Sequence, residues 1–519
     1  MFDLKGGSNL YKRIALILAV VSVLATVLTG NAAADVVVTA SGDPIVGALV
    51  KLVDYPEYND TTDVNGNYTI PNVPIGTYLI SASAEGYATN TSSVIVSDGA
   101  TTEKNFILDV GFEVSIPWTA TTGGWTTPYV IVNQGTVNAS VTMEYYDQAD
   151  GSLVGADSMT IVPGASKFAF REWITTTTDG SVKVVSNQPI SVIVDQMKPA
   201  DTTFGAYSVG SGGSTQVFIP WTATTGGWTT PYVIVNQGTG NASVTMEYYD
   251  QADGSLVGTD SMTIVPGASK FAFREWITTT TDGSVKVVSD QPISVIVDQM
   301  KPADTTFGAY SVGSGGNTQV FIPWTATTGG WTTPYVIVNQ GTVNASVTME
   351  YYDQADGSLV GTDSMTIVPG ASKFAFREWI TTTTDGSVKV VSDQPISVIV
   401  DQMKPADTTF GAYSVGSGGS TQVFIPWTAT TGGWTTPYVV VNQGTVNASV
   451  TMEYYDQADG SLVGTDSMTI VPGASKFAFR EWITTTTDGS VKVVSDQPIS
   501  VIVDQMKPTD TTFGAYSVN

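Results

Sequence analysis

The stretch 116–129, IPWTATTGGWTTPY, recurs at 219–232, 322–335 and 425–438, with its first tryptophan at Trp118, Trp221, Trp324 and Trp427. The spacing is a constant 103 residues, and the sequence between the anchors is nearly identical from copy to copy. A fixed long period means one structural unit repeated in an array. Whatever chemistry one copy carries is therefore written four times, which suits repeated binding, reach or bulk better than a single catalytic centre.

Within the first copy, short alternating runs bounded by Gly, Pro, Asn and Asp read as strands. They fall near Glu113–Trp118, Pro128–Asn133, Ser140–Tyr146, Ser152–Ile161, Ser166–Trp173, Ser181–Val185, Pro189–Asp195 and Phe204–Val209. Seven or eight strands in about a hundred residues predict an immunoglobulin-like sandwich. The segment Gly210-Ser211-Gly212-Gly213-Ser214 reads as a flexible joint. The expected architecture is all-β: tandem sandwiches, one smaller and four Ig-like, as beads on a string forming a rod. Its boundaries are 1–34 for an export signal, 35–110 for a first domain, then repeats at 111–213, 214–316, 317–419 and 420–519. Identical neighbours also invite domain swapping.

Composition removes whole classes of function. The 519 residues contain no histidine and no cysteine. The usual neutral-pH general base and the thiolate nucleophile are thus unavailable. Zinc, copper and iron sites normally need imidazole or thiolate, which leaves only oxygen-bound calcium as a cofactor to consider. Net charge is −26. Each repeat carries nine carboxylates against four Lys or Arg, so a polyanion repelled by nucleic acid is expected.

At the N-terminus, Lys12-Arg13 precede an apolar run from Ile14 to Leu28, followed by Ala32-Ala33-Ala34. This is the pattern of a secretory signal cleaved before Asp35; uncleaved, it would be a membrane anchor. Either way the chain is expected to be secreted or at the cell surface.

Residues 36–110 differ from the repeats. The runs GDPIVGALVKLVD and TTDVNGNYTIPNVPIGTYLISASAEGY, with the closing NFIL, resemble the carboxypeptidase regulatory-like family. The resemblance implies a transthyretin-like sandwich acting as an accessory or spacer. Asn65-Gly66 reads as a hairpin turn, and Val50, Leu52, Ile70, Leu79 and Ile80 as core. The repeats themselves, through IPW…GGW…YYD..DGSLVG…VPG…QPISVIVDQ, are similar to extracellular repeats of prokaryotic surface proteins.

Candidate sites follow the period. Trp125, Trp228, Trp331 and Trp434 sit in Thr/Gly-rich loops, where a flat indole could stack on a sugar ring or plug a domain joint; Trp118 and Trp173 read as core. Asp147 and Asp150 raise calcium, although their loop lacks EF-hand spacing and a plain hairpin accounts for it. Asn138, Asn241, Asn344 and Asn447, with Asn59, Asn67 and Asn90, are glycosylation sequons. Lys167 and Lys183 with Asn133 and Glu144 are the residue types of an isopeptide bond, without diagnostic spacing. No carboxylate pair stands apart from the repeat background, so an enzyme is the least supported class. The expectation is an exported, non-catalytic structural or adhesive surface protein. The alternatives are a self-assembling filament or envelope subunit, and a carbohydrate-binding accessory protein. Its partners are expected among envelope components, polysaccharide or other copies of itself, and in the membrane only through an uncleaved N-terminal segment.

Overall fold

The computed structural model describes residues 35–518 apart from 40–41, 54, 56, 85–86, 88–89, 98–100, 109–110, 211, 314 and 417. The export segment at 1–34 lies outside the described residues. The chain divides into two compact units, with the boundary between Gly111 and Phe112.

The first unit has seven strands: β1 (Asp35–Thr39), β2 (Leu49–Leu52), β3 (Asn59–Thr61), β4 (Asn67–Tyr68), β5 (Gly76–Ser83), β6 (Asn90–Val96) and β7 (Phe106–Leu108). They form sheets in the orders β4-β1-β7 and β3-β2-β5-β6. Val37, Val50, Leu52, Tyr68, Ile80 and Phe106 are buried together. Ile70 packs at the edge of that core, and Leu79 is instead exposed, pointing away from it. Asp63 accepts hydrogen bonds from the backbone N–H groups of Asn65 and Asn67, which closes the expected turn with Gly66 at φ +75°.

The second unit holds the four repeats. The first contains β8 (Phe112–Thr119), β9 (Tyr129–Asn133), β10 (Ala139–Tyr146), β11 (Leu153–Ile161), β12 (Ser166–Ala169), β13 (Gly180–Ser186), β14 (Ile190–Met197) and β15 (Phe204–Val209). Two four-stranded sheets result, β11-β10-β13-β8 and β12-β9-β14-β15, paired antiparallel throughout. In the later repeats the equivalents of β13 and β14 run on as single 18-residue strands such as Gly283–Met300. In the first repeat that run breaks at Asn187, where the later copies have Asp290, Asp393 and Asp496.

The tandem sandwiches are as the sequence predicts, but they are not strung out as separate beads. The first sheet alternates buried and open residues, as β10 does from Ala139 to Tyr146, the pattern of a sheet with one covered face. In the second sheet, all five residues of β9 are buried, so both of its faces are covered. Tyr129 and Ile131 point into their own sandwich. Val130, Ile193, Phe204 and Ala206 point the other way and join the core of repeat 4. Val233, Ile296, Phe307 and Ala309 of repeat 2 likewise complete the core of repeat 1. The same handover runs from repeat 3 to repeat 2 and from repeat 4 to repeat 3.

Four head-to-tail seams, the last joining repeat 4 back to repeat 1, make a closed ring. The closing seam matches the covalently continuous ones. Phe168 meets Trp427 with ring centroids 5.7 Å apart, against 5.6 Å for Phe271 and Trp118. Along the pseudo-fourfold axis, the hydroxyls of Thr202, Thr305, Thr408 and Thr511 hydrogen-bond in a cycle at 3.1, 3.1, 3.0 and 3.2 Å. The physical reason for closure is the apolar outer face of the second sheet. An extended array would leave it bare at every joint, whereas the glycine-rich linkers give way to it at little cost.

Deleting one whole repeat (317–419) should therefore not give a shorter monomer. Three repeats leave one core open and one apolar face bare, and light scattering after size exclusion should find self-associated or aggregated material. A well-behaved monomer with unchanged melting would mean that the repeats fold independently.

Candidate functional site

Each seam is built from the IPWTATTGGW stretch that opens the repeat. Trp118 is 6 % exposed and packs edge-on against Phe271 of the next repeat. Trp125 lies 6.0 Å from Trp118 and 5.1 Å from Phe307 of the next repeat. Lys198 Nζ sits 4.8 Å over its ring, a cation–π contact. Trp228, Trp331 and Trp434 have the same surroundings, Phe410, Phe513 and Phe204 filling the place of Phe307. The four tryptophans named from the sequence as ligand candidates are thus half-buried at joints, where they contact the neighbouring sandwich.

The strand expected over Ser166–Trp173 ends at Ala169, and Arg171–Trp173 form a short 3-10 turn. Arg171 is the reason. It turns inward, fully buried, and donates to the carbonyl oxygens of Thr178 (2.7 Å), Tyr146 (2.9 Å) and Ser181 (3.3 Å). A buried guanidinium needs such acceptors, and meeting them throws Trp173 outward. Trp173, expected as core, is 55 % exposed, and Trp276, Trp379 and Trp482 are 55–56 % exposed.

Two loops are joined through the carboxylates of Glu172 and Asp179, which flank Trp173 in the chain. Asp179 Oδ1 accepts from the backbone N–H groups of Thr121 and Thr122 at 2.8 and 3.0 Å, and Asp179 Oδ2 accepts from the Thr122 hydroxyl at 2.6 Å. Thr126 donates its hydroxyl to Glu172 Oε1, while Glu172 Oε2 is buried. The TATTGGW loop and the turn carrying Trp173 are thereby one surface, held by carboxylates that face inward. Phe170 backs the indole at a centroid distance of 5.2 Å and stacks in turn near Phe168, which reaches the seam.

Asp147 Oδ1 accepts from Ala149 N and Asp150 Oδ1 from Ser152 N, each at 2.8–2.9 Å, the bonding of a capped hairpin loop. No group of three or more carboxylates among the described residues is arranged to hold a metal ion. Asn133 spends its amide on the carbonyls of Val137 and Ile161, and Lys183 pairs with Glu113 at 2.8 Å. The Asn133 amide is therefore committed to backbone rather than to a lysine. Asn138, Asn241, Asn344 and Asn447 stand exposed between strands, Asn59 and Asn90 are exposed at the starts of β3 and β6, and Asn67 is half-buried in β4. No helix among the described residues is long and apolar enough to cross a membrane.

One set of residues was not singled out from the sequence. Asp195, Asp298, Asp401 and Asp504 are 3–4 % exposed on the outer face of the second sheet. Each is directed at a glutamine of the preceding repeat: Gln505, Gln196, Gln299 and Gln402 respectively. Those glutamines are fully buried, and neither their amides nor Oδ1 of the aspartates reach good hydrogen-bond geometry. Burial pushes each carboxyl from its ordinary 3.8 up to about 7, with the glutamine pulling weakly the other way. A buried tyrosine of the preceding repeat lies within electrostatic reach of this carboxyl, Tyr516 for Asp195 and Tyr207 for Asp298.

A pH dependence follows. Between about 4 and about 7 the folded ring holds protons that the unfolded chain has lost. Stability contributed by these carboxyls is complete below about pH 4, falls as pH rises to about 7, and is constant above. Raising a folded-state pKa by one contributes about 1.4 kcal/mol per site at acid pH, so the melting temperature should drop by several degrees from pH 4.5 to 7.5. Replacing all four with asparagine should flatten that slope, as read by calorimetry across the range.

Comparisons with known proteins bear on part of the chain. No curated protein matches it. A solved structure from Thermotoga maritima, "1070", is 14 % identical over 20 % of this chain and 94 % of its own, with a TM-score of 0.17. The full-length major pilin RrgB of Streptococcus pneumoniae is 7 % identical over 96 % and 92 %, TM-score 0.13. Domains 4–9 of the surface layer protein SbsC are 12 % identical over 94 % and 91 %, TM-score 0.08. Likenesses at such scores carry no argument about this chain. Residues 36–109 match the family model of the carboxypeptidase regulatory-like domain, and together with the two small sheets described above they identify that stretch as a domain of this family.

Proposed function

We propose that the protein is an exported, non-catalytic component of the cell surface that displays one face four times around a closed ring, for structure or adhesion. The observation that carries this reading is the repetition itself. Four seams with the same contacts fix four copies of the Trp173 surface in one geometry, and fixed multiple copies serve avidity rather than turnover. The chemistry of the chain supports it. With no His and no Cys in the sequence, each Arg171-type cation is spent on backbone carbonyls and each Asp179-type carboxylate on its neighbouring loop. The sequons at exposed turns and the export-type N-terminus agree with a life outside the cytoplasm.

Ring closure also weighs on the filament alternative. Each repeat uses both its apolar outer face and its open core within the ring, so this seam is not left over for open-ended growth.

Fractionation of source cells tests the reading. The protein should be recovered from the surface or medium, accessible to added protease on intact cells, with Asp35 as its first residue. A cytoplasmic protein retaining Met1 would contradict it.

A further inference from the structure

We infer that the loop surface around Trp173, and its equivalents at Trp276, Trp379 and Trp482, is a binding site for a neutral, polyhydroxylated polymer, a polysaccharide without charge. The inference rests on the surface-protein reading above and names the ligand class of the same face.

Three observations carry it. The first is exposure on a rigid base. The indole is more than half open, yet its flanking residues are locked: Arg171 by backbone carbonyls, Glu172 by Thr126, and the ring itself by Phe170 behind it. A preorganised aromatic loses little freedom when a ligand stacks on it.

The second is the chemistry of what surrounds it. The two joined loops, 119–127 and 170–180, hold three charged side chains. Arg171 is buried, and Glu172 and Asp179 are bonded inward. What remains outward is Trp173 with exposed Thr122, Gly123, Gly124, Thr176 and Thr177. An exposed indole on joined loops that also carry threonine hydroxyls and open glycine backbone suits a pyranose, whose C–H face stacks while its hydroxyls exchange hydrogen bonds. Neither loop carries an outward cation of its own, Lys198 being taken up over the Trp125 ring, and a chain of net charge −26 would repel an anionic polymer.

The third is multiplicity. A flat site of one aromatic binds weakly, and four of them fixed on one ring bind a repeating polymer with avidity. The Trp125 position does not offer this, because Phe307 and Lys198 already lie against its ring.

The test is affinity electrophoresis of the full chain through gels containing hydroxyethyl cellulose, a neutral mannan, or alginate as the anionic comparison. The wild type should be retarded by at least one neutral polymer and not by alginate. The variant carrying W173A, W276A, W379A and W482A should lose about 100-fold in apparent affinity, with single substitutions losing far less and melting unchanged because the ring is exposed. A fold check on the separate quadruple variant W125A, W228A, W331A and W434A should show a lowered melting temperature instead. The inference is overturned if neither neutral polymer retards the wild type, or if the Trp173-type variant is retarded equally. It is also overturned if that variant's only change is the loss of a self-associated species in sedimentation. Surface localisation, measured separately by fractionation, survives any of these failures.

Discussion

The structure of the repeats depends on one contact: the outer face of a repeat's second sheet closing the open core of the repeat before it. Val130, Ile193, Phe204 and Ala206 are as deeply buried as the residues of the core they enter. A sandwich that leaves its second sheet apolar on both sides is not finished alone. It is stable only with a neighbour before it and a neighbour after it, and in a chain of four such units the first and last must satisfy each other.

Several features then have a common cause. Phe204 and its equivalents must fit against the chain at the axis, and Gly308 is where a Cβ would come within 2.7 Å of Phe410. Trp125 is held between its own sandwich and the next, so its loop is pinned at one end by the seam and at the other by Asp179. That pinning steadies the neighbouring turn on which Trp173 stands. Packing inside the ring thus sets the rigidity of the face outside it. The same close fit traps Asp195 beside Gln505 with no water-facing side, which ties the stability of the seam to the protonation of its carboxyls.

Much of this was legible in the sequence, and the part that was not has a physical explanation. The 103-residue period, the strands and the regulatory-like domain were readable because alternation and turn residues are local signals. The ring was also hinted at locally: YVIV at 129–132 is a continuous apolar run, the mark of a strand covered on both faces, not of a sandwich strand with one wet side. The glycine-rich linker pointed the other way, since composition reports freedom and not what a free joint is drawn to. The place of Trp125 at a joint was one of the two readings the sequence offered, whereas the exposure of Trp173 was not legible. Both lie among threonines, and only the inward turn of Arg171 decides which indole is left outside. Asp195 and Gln196 gave a signal in hindsight, two polar residues inside the run ISVIVDQM, but the partner of each is on a different repeat.

Ring closure is the claim on which the rest stands, and the chain's lack of cysteine allows a clean measurement. Thr202 and Thr511 are 309 residues apart in sequence with their hydroxyls 3.2 Å apart across the closing seam. Oxidation of the T202C, T511C double variant should give an intramolecular disulfide in a monomer, seen as faster migration without reductant and protection of both thiols. Free thiols throughout, or disulfide-linked dimers only, would mean that repeats 1 and 4 do not meet within one chain, and the ring would be wrong.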